Sequence, residues 1–96
     1  MIRHICMFKL MQENKEKNLQ ELLERVQSLN TIKQVRHFEV RCNGEDLPES
    51  NYEVALIFDF ENKEDLDIYQ KHPAHLAFGA FIKGIRESRA CIDYYY

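Results

Sequence analysis

The sequence is poor in the residues that mark several common kinds of functional site. Its 96 residues include three cysteines, three glycines, two prolines and no tryptophan. The cysteines are far apart and none forms a C-x-x-C pair, the spacing that many metal and redox sites use. No glycine-rich phosphate loop, dinucleotide fingerprint or nucleophile triad is present. Kinase, dehydrogenase and hydrolase functions therefore have no support.

The chain also lacks an excess of positive charge and any long apolar run. Thirteen Lys and Arg stand against sixteen Asp and Glu, whereas a protein that binds nucleic acid or an anionic membrane favours clustered positive charge. No stretch approaches the ~20 apolar residues of a membrane span, and the first residues alternate instead of forming a signal-peptide core. We expect a cytoplasmic protein with free, buried thiols and neither a nucleic-acid nor a membrane partner.

The first third of the chain predicts a strand followed by a helix. Residues 2–10 alternate in a way that is typical of a strand, with His4 on the same face as Ile2 and Cys6. Asn14 can cap a helix. Five apolar residues then recur at helical spacing: Leu19, Leu22, Leu23, Val26 and Leu29.

The rest of the chain predicts two strands, a helix interrupted by a proline, and a closing strand. Residues 35–42 and 52–60 alternate on either side of a loop rich in turn formers. Asn62 can cap a short helix, which Pro73 should close while opening another. Residues 90–95 alternate again, which indicates the last strand.

This order of elements predicts a single α+β domain over residues 1–96 with a ferredoxin-like split βαβ arrangement. Its four-stranded antiparallel sheet would carry helices on one face only. The other face would still hold aromatic and aliphatic residues, and a second copy of the chain is the simplest cover for it. We therefore expect a homodimer.

Three short motifs carry a resemblance to a known family. They are the opening strand over residues 3–9, Tyr69 followed by the H-P-A-H segment 72–75 and Phe78, and the closing residues 92–94. In this combination the chain resembles the stress-responsive A/B barrel (Dabb) domain over nearly its whole length. The resemblance implies a ferredoxin-like protomer that pairs with its twin into a dimeric α/β barrel around a small cavity.

The same resemblance implies candidate catalytic residues. Most family members have no assigned activity, some plant members are stress-induced, and others are polyketide cyclases. In the cyclases the second histidine of H-P-A-H acts as acid or base, helped by a preceding tyrosine and a histidine on the first strand. These positions correspond to His75, Tyr69 and His4. A neutral imidazole near a helix start suits a general base, and the tyrosine could donate to a developing enolate oxygen.

Each candidate also has a structural interpretation. His72 and His75 could instead cap a helix or bond strand carbonyls, and His4 could be a buried core histidine. The candidate ligand-binding residues, which could equally be core, are His72, Phe8, Phe58 and Phe78. Because the two histidines of H-P-A-H are three apart across a helix start, we expect neither a metal site nor a cofactor.

Three functions are compatible with the sequence. The first is an uncharacterised family member that binds a small apolar or aromatic molecule in its barrel cavity. The second is a polyketide-cyclase-like enzyme that performs an aldol-type cyclisation, and the third is a cofactor-free monooxygenase-like enzyme. An enzyme requires His75, Tyr69 and His4 to converge on one accessible cavity, whereas a structural role requires their polar atoms to be paired.

Overall fold

The segments in which apolar and polar residues alternate fold as four antiparallel strands. The computed structural model of the protein describes all 96 residues. The strands are β1 (Ile2–Leu10), β2 (His37–Cys42), β3 (Val54–Phe60) and β4 (Arg86–Tyr95), arranged in the order β2-β3-β1-β4. Every neighbouring pair is antiparallel. The predicted α+β, ferredoxin-like class is confirmed.

Three α-helices cover one face of this sheet: α1 (Lys15–Arg25), α2 (Lys63–Lys71) and α3 (Pro73–Lys83). The first helix does not continue to Leu29 as an α-helix, because the chain tightens into a 3₁₀-helix over Val26–Thr31. None of the helices is long and apolar enough to cross a bilayer.

Of the two predicted asparagine caps, one forms and the other does not. Asn62 caps α2, since its side-chain oxygen accepts the N–H of Asp65 at 2.9 Å. Asn14 precedes α1 but makes no capping hydrogen bond through its side chain. It adopts a left-handed backbone conformation with φ 57°, a geometry that asparagine tolerates better than most residues. Asn14 therefore turns the chain into the helix instead of capping it.

The core lies between the sheet and the helices. Alternate residues of β1 and β3 point to the helices and are buried, while α1, α2 and α3 contribute apolar residues from the other side. Seventeen buried residues form one continuous cluster, which is the only core of the domain.

The opposite face of the sheet has no cover within the protomer. Met7, Ile92 and Tyr94 are 36%, 59% and 40% exposed there. On the same face, Ile5 of β1 lies directly opposite Ile57 of β3, and both side chains are only half-buried. We call this surface, defined by these five residues, the open face.

One prediction about the cysteines is wrong. Cys6 and Cys91 lie directly opposite each other on β1 and β4, with Cα atoms 4.3 Å apart, and form a disulfide. Cys42 is free but exposed. Because disulfides persist mainly in oxidising compartments, the thiols no longer support a cytoplasmic location, which stays a prediction.

Candidate functional site

A cavity of about 220 Å³ opens between the sheet and helices α2 and α3. Eight of its fifteen lining residues are hydrophobic, and none is acidic. An apolar enclosure with a few polar groups is the usual composition of a small-molecule site, although this one is smaller than most. The size restricts any occupant within one protomer to a small molecule.

The three predicted catalytic residues all line this cavity. His4 comes from β1, Tyr69 from the last turn of α2 and His75 from the first turn of α3. The ring centre of Tyr69 is 4.7 Å from that of His75 and 6.1 Å from that of His4. Tyr69 therefore lies near both imidazoles, and the catalytic roles of the three residues stay predictions.

The predicted ligand-binding residues divide into two groups. Phe8, Phe58 and Phe78 line the cavity. His72 does not, because its ring is engaged at the start of α3, where Nδ1 accepts the N–H of Ala74 at 3.0 Å. His72 therefore has the helix-capping role that was its structural interpretation, and its position does not support a role in binding.

His75 lacks the hydrogen-bond partner that a structural histidine would have. Its Nδ1 is buried and has no hydrogen-bond partner, and the only backbone group that bears on the pKa of the ring is that of Gln70, which raises it. Burial lowers the pKa of His75 below its ordinary value, and charge on the nearby His4 lowers it further. The ring is therefore neutral at pH 7, the form that a general base requires.

Tyr69 is held rigidly and stays protonated. It is only 1% exposed, and its ring centre lies 5.1 Å from that of Phe58 and 4.9 Å from that of Phe60. Burial raises the pKa of its phenol above the ordinary value, with no charged partner to offset the effect. Tyr69 can therefore act as a neutral hydrogen-bond donor inside the cavity.

His4 has a partner that the sequence did not reveal. Its Nδ1 makes a close contact with a carboxylate oxygen of Asp93, which lies directly opposite on β4. A carboxylate in this position accepts the Nδ1–H and fixes the orientation of the imidazole, so that Nε2 is directed away from Asp93. That nitrogen lies 3.6 Å from the sulfur of Cys6, on the cavity side of the sheet.

Metal coordination has no geometric basis in the described residues. No group of three or more His, Cys, Asp or Glu side chains comes together closely enough to hold an ion. The cavity offers instead a neutral base, a neutral donor and an oriented imidazole within an apolar enclosure. This set of groups is suited to moving protons on a bound organic molecule.

The model of the stress-responsive A/B barrel domain family matches residues 2–96. The chain belongs to this family. The match covers all four strands, all three helices and each cavity residue described above. As a stress-responsive A/B barrel domain protein, the chain has the fold that its motifs predicted.

Solved structures from bacteria share this fold. A dimeric protein of unknown function with a ferredoxin-like fold from Bacteroides fragilis is 33% identical, with a TM-score of 0.85 over 99% of this chain and 95% of that one. A Dabb family protein from Mesorhizobium loti is 26% identical, with a TM-score of 0.83 over 99% and 95%.

A more distant similarity shows how widely the fold is used. An antibiotic biosynthesis monooxygenase superposes with a TM-score of 0.81 over 100% of this chain and 98% of that one, at 12% identity. At this identity the likeness establishes the fold alone. No curated protein matches the chain. The family and the fold are therefore shown, and no specific activity comes with them.

Proposed function

We propose that this stress-responsive A/B barrel domain protein is a homodimer that binds a small, largely apolar or aromatic molecule in the cavity beside His75. The observation that carries the proposal is the buried Nδ1 of His75, which has no partner in a cavity where eight of the fifteen lining residues are hydrophobic. Leaving such an atom unpaired costs about 1–3 kcal/mol. A ligand with one polar group and a flat apolar body would satisfy both features.

The dimer follows from the open face. Met7, Ile92 and Tyr94 expose apolar surface on the side of the sheet that the helices do not reach. Sheet faces of this kind need a cover, and the similar protein from Bacteroides fragilis is described as dimeric. A second copy of the chain, applying its own open face, provides a self-complementary cover.

The binding proposal is tested with 2-naphthamide, a flat neutral aromatic probe, by isothermal titration calorimetry. Gly79 lines the cavity, and a Cβ at this position would meet no atom within 4 Å. A Gly79→Leu variant should therefore keep the fold, place a side chain beside the ligand site and weaken binding by about tenfold or more.

Ala80→Leu is the matched control, since Ala80 is the next residue on α3, is exposed and does not line the cavity. It should bind the probe as the wild-type protein does. Binding that is absent from the wild type, or equal in both leucine variants, contradicts a ligand site in this cavity.

A second candidate function is acid–base catalysis of an aldol-type cyclisation. Two observations favour it: His75 is neutral beside Tyr69, and Tyr69 retains its proton. His75 would remove a proton from the carbon between two carbonyl groups, and the resulting enolate carbon would attack a third carbonyl. Tyr69 would stabilise the developing oxyanion by hydrogen bonding, and the protonated His75 would return its proton to that oxygen. Loss of the new hydroxyl as water and enolisation of the remaining carbonyl groups would then give the aromatic ring.

This candidate is tested with a linear poly-β-ketone thioester, by following the appearance of an aromatic ring in the ultraviolet spectrum. His75→Ala should reduce the rate by about 100-fold or more, a typical contribution of a positioned acid or base. His37→Ala is the control, because His37 is exposed on β2 and lies outside the cavity. Equal rates in the two variants, or no reaction in the wild type, contradict the cyclase function.

Cofactor-free oxidation rests on fold similarity to the monooxygenase alone, and no residue of the cavity favours it over the two functions above.

A further inference from the structure

Three cationic side chains are among the residues that line the cavity. Lys83 comes from the end of α3, and Arg86 and Arg89 come from the first half of β4. Lys83 and Arg89 are exposed and Arg86 is half-buried, so the charges lie toward the mouth while the aromatic residues lie deeper. The cavity therefore has an apolar interior and a cationic rim.

These three cations are not neutralised by the protein. None of them forms an ion pair, whereas arginines elsewhere, including Arg3, Arg25, Arg36 and Arg41, each pair with a carboxylate. The cavity lining contains no acidic residue at all, although the chain as a whole carries a net charge of −3. The two arginines of the chain that form no ion pair, Arg86 and Arg89, therefore both line this cavity together with Lys83.

A cationic rim of this kind is suited to binding a carboxylate. Arginine presents a planar set of donors that matches a carboxylate in a bidentate geometry, and hydrogen bonds between ionised partners are roughly twice as strong as neutral ones. Arg89 reaches the sheet side of the cavity, where its guanidinium lies 3.5 Å from the sulfur of Cys6. An anion held by Arg89 would therefore be attached to a body that extends toward Phe8 and Tyr69.

We infer that the molecule bound in this cavity is a small organic acid, with its apolar or aromatic body between the sheet and the helices and its carboxylate on Arg89, Arg86 and Lys83. The inference rests on the proposed binding function and adds the class of ligand. The size of the cavity, about 220 Å³, favours a compact acid over one with a long chain.

Binding of the acid should also change the chemistry of His75. The positive charge of Arg89 is one of the factors that lower the pKa of His75. A bound carboxylate offsets that charge, and the pKa of His75 should then rise toward its ordinary value. A carboxylic acid would in this way make the imidazole a stronger base while occupying the site.

The experiment compares 2-naphthoate with 2-naphthamide, two probes of nearly the same shape that differ in charge, by titration calorimetry at low ionic strength. The wild-type protein should bind the acid at least about tenfold more tightly, which corresponds to about 1.4 kcal/mol. Arg89→Gln and Arg86→Gln should each weaken binding of the acid more than binding of the amide, and so remove much of that preference.

Arg36→Gln is the matched control, since it removes the same charge from an exposed arginine outside the cavity. It should keep the full preference for the acid. Equal affinity for acid and amide in the wild type overturns the inference and leaves the binding proposal intact. If neither probe binds, both proposals are overturned. If Arg36→Gln loses the preference as Arg89→Gln does, general electrostatic attraction explains it and the rim is not a site.

Discussion

The two faces of the sheet differ in what they bury, although they are built from the same strands. On the helix side of β1, His4 and Phe8 are 4% and 5% exposed and line a cavity. On the open face, Met7 lies between Cys6 and Phe8 in sequence and is 36% exposed. One step along the strand therefore separates residues that meet a ligand site from residues that meet solvent or a second subunit.

The polar side chains on the two faces also differ in whether they have hydrogen-bond partners or counter-ions. On the open side, Arg3 pairs with Asp59 through two hydrogen bonds of 2.8 and 2.9 Å. On the helix side, Nδ1 of His75 has no partner, and the cations at the rim have no counter-ion. Complete pairing is typical of a structural surface, whereas unpaired polar groups in a cavity are typical of a site.

The largest expected difference between the faces concerns stability. Phe58→Ala removes a fully buried ring from the helix side of β3 and should lower the free energy of unfolding by about 3–5 kcal/mol. Ile57→Ala, at the adjacent position on the open face, should cost the protomer less than half as much. Urea unfolding of both variants is measured at a protein concentration low enough to keep the protomers apart, because a second subunit would also bury Ile57. Equal losses then contradict the assignment of faces.

The disulfide gives the next largest effect. Cys6–Cys91 joins the ends of the chain across the helix side of the sheet, with a sequence separation of 85 residues. Closing so long a loop restricts the unfolded chain, and reduction should lower the free energy of unfolding by about 2–4 kcal/mol. Thermal unfolding with and without a phosphine reductant measures this loss.

Cys42→Ser is the control for that experiment, because Cys42 is free and exposed. The variant should lose stability on reduction as the wild type does. A wild-type protein whose unfolding temperature is insensitive to the reductant contradicts the disulfide.

Self-association should depend on the open face alone. Ile92→Asp places a charge where a second subunit is expected and should weaken the dimer by about 100-fold or more, since a buried charge without a partner is costly. Ile68→Asp makes the same change at an exposed position on α2 and should leave the dimer intact. Analytical ultracentrifugation distinguishes the two, and a wild-type monomer at micromolar concentration rules out the dimer.

The smallest expected effect is the pH dependence that His75 confers. Because its pKa is lowered in the folded protein, the unfolded chain binds a proton first as the pH falls. Stability should therefore decrease from about pH 6.5, the ordinary histidine value, down to the folded pKa, and then level off. His75→Gln should flatten this part of the curve in pH-dependent urea unfolding. An unchanged curve shows that His75 is solvated and ordinary.

The sequence was sufficient for the fold and for part of the site. Alternation along β1 predicted that His4 shares a face with Cys6, and the resemblance carried by the H-P-A-H segment singled out His75 and Tyr69, which line the same cavity. These predictions depend on local periodicity and on a motif, both of which can be read within a few residues.

Three features around the site that the sequence did not reveal depend on β4. The contact of His4 with Asp93, the disulfide of Cys6 and the approach of Arg89 to the cavity follow from the register of β1 with β4. That register joins residues more than 80 positions apart, and the sequence predicted only that a closing strand exists. The strand in fact begins at Arg86, which adds two of the three rim cations to it.

The most direct test of the two-face account is the mapping of 2-naphthoate onto the ¹⁵N-labelled protein by chemical-shift changes in heteronuclear NMR spectra. The account predicts saturable shifts at the amides of His4, Gln70 and Gly79 and at the side chain of Arg89, with Ile57 and Ile92 unchanged. Shifts that concentrate at Ile57 and Ile92 would show that the open face is the ligand-binding surface and would contradict the account.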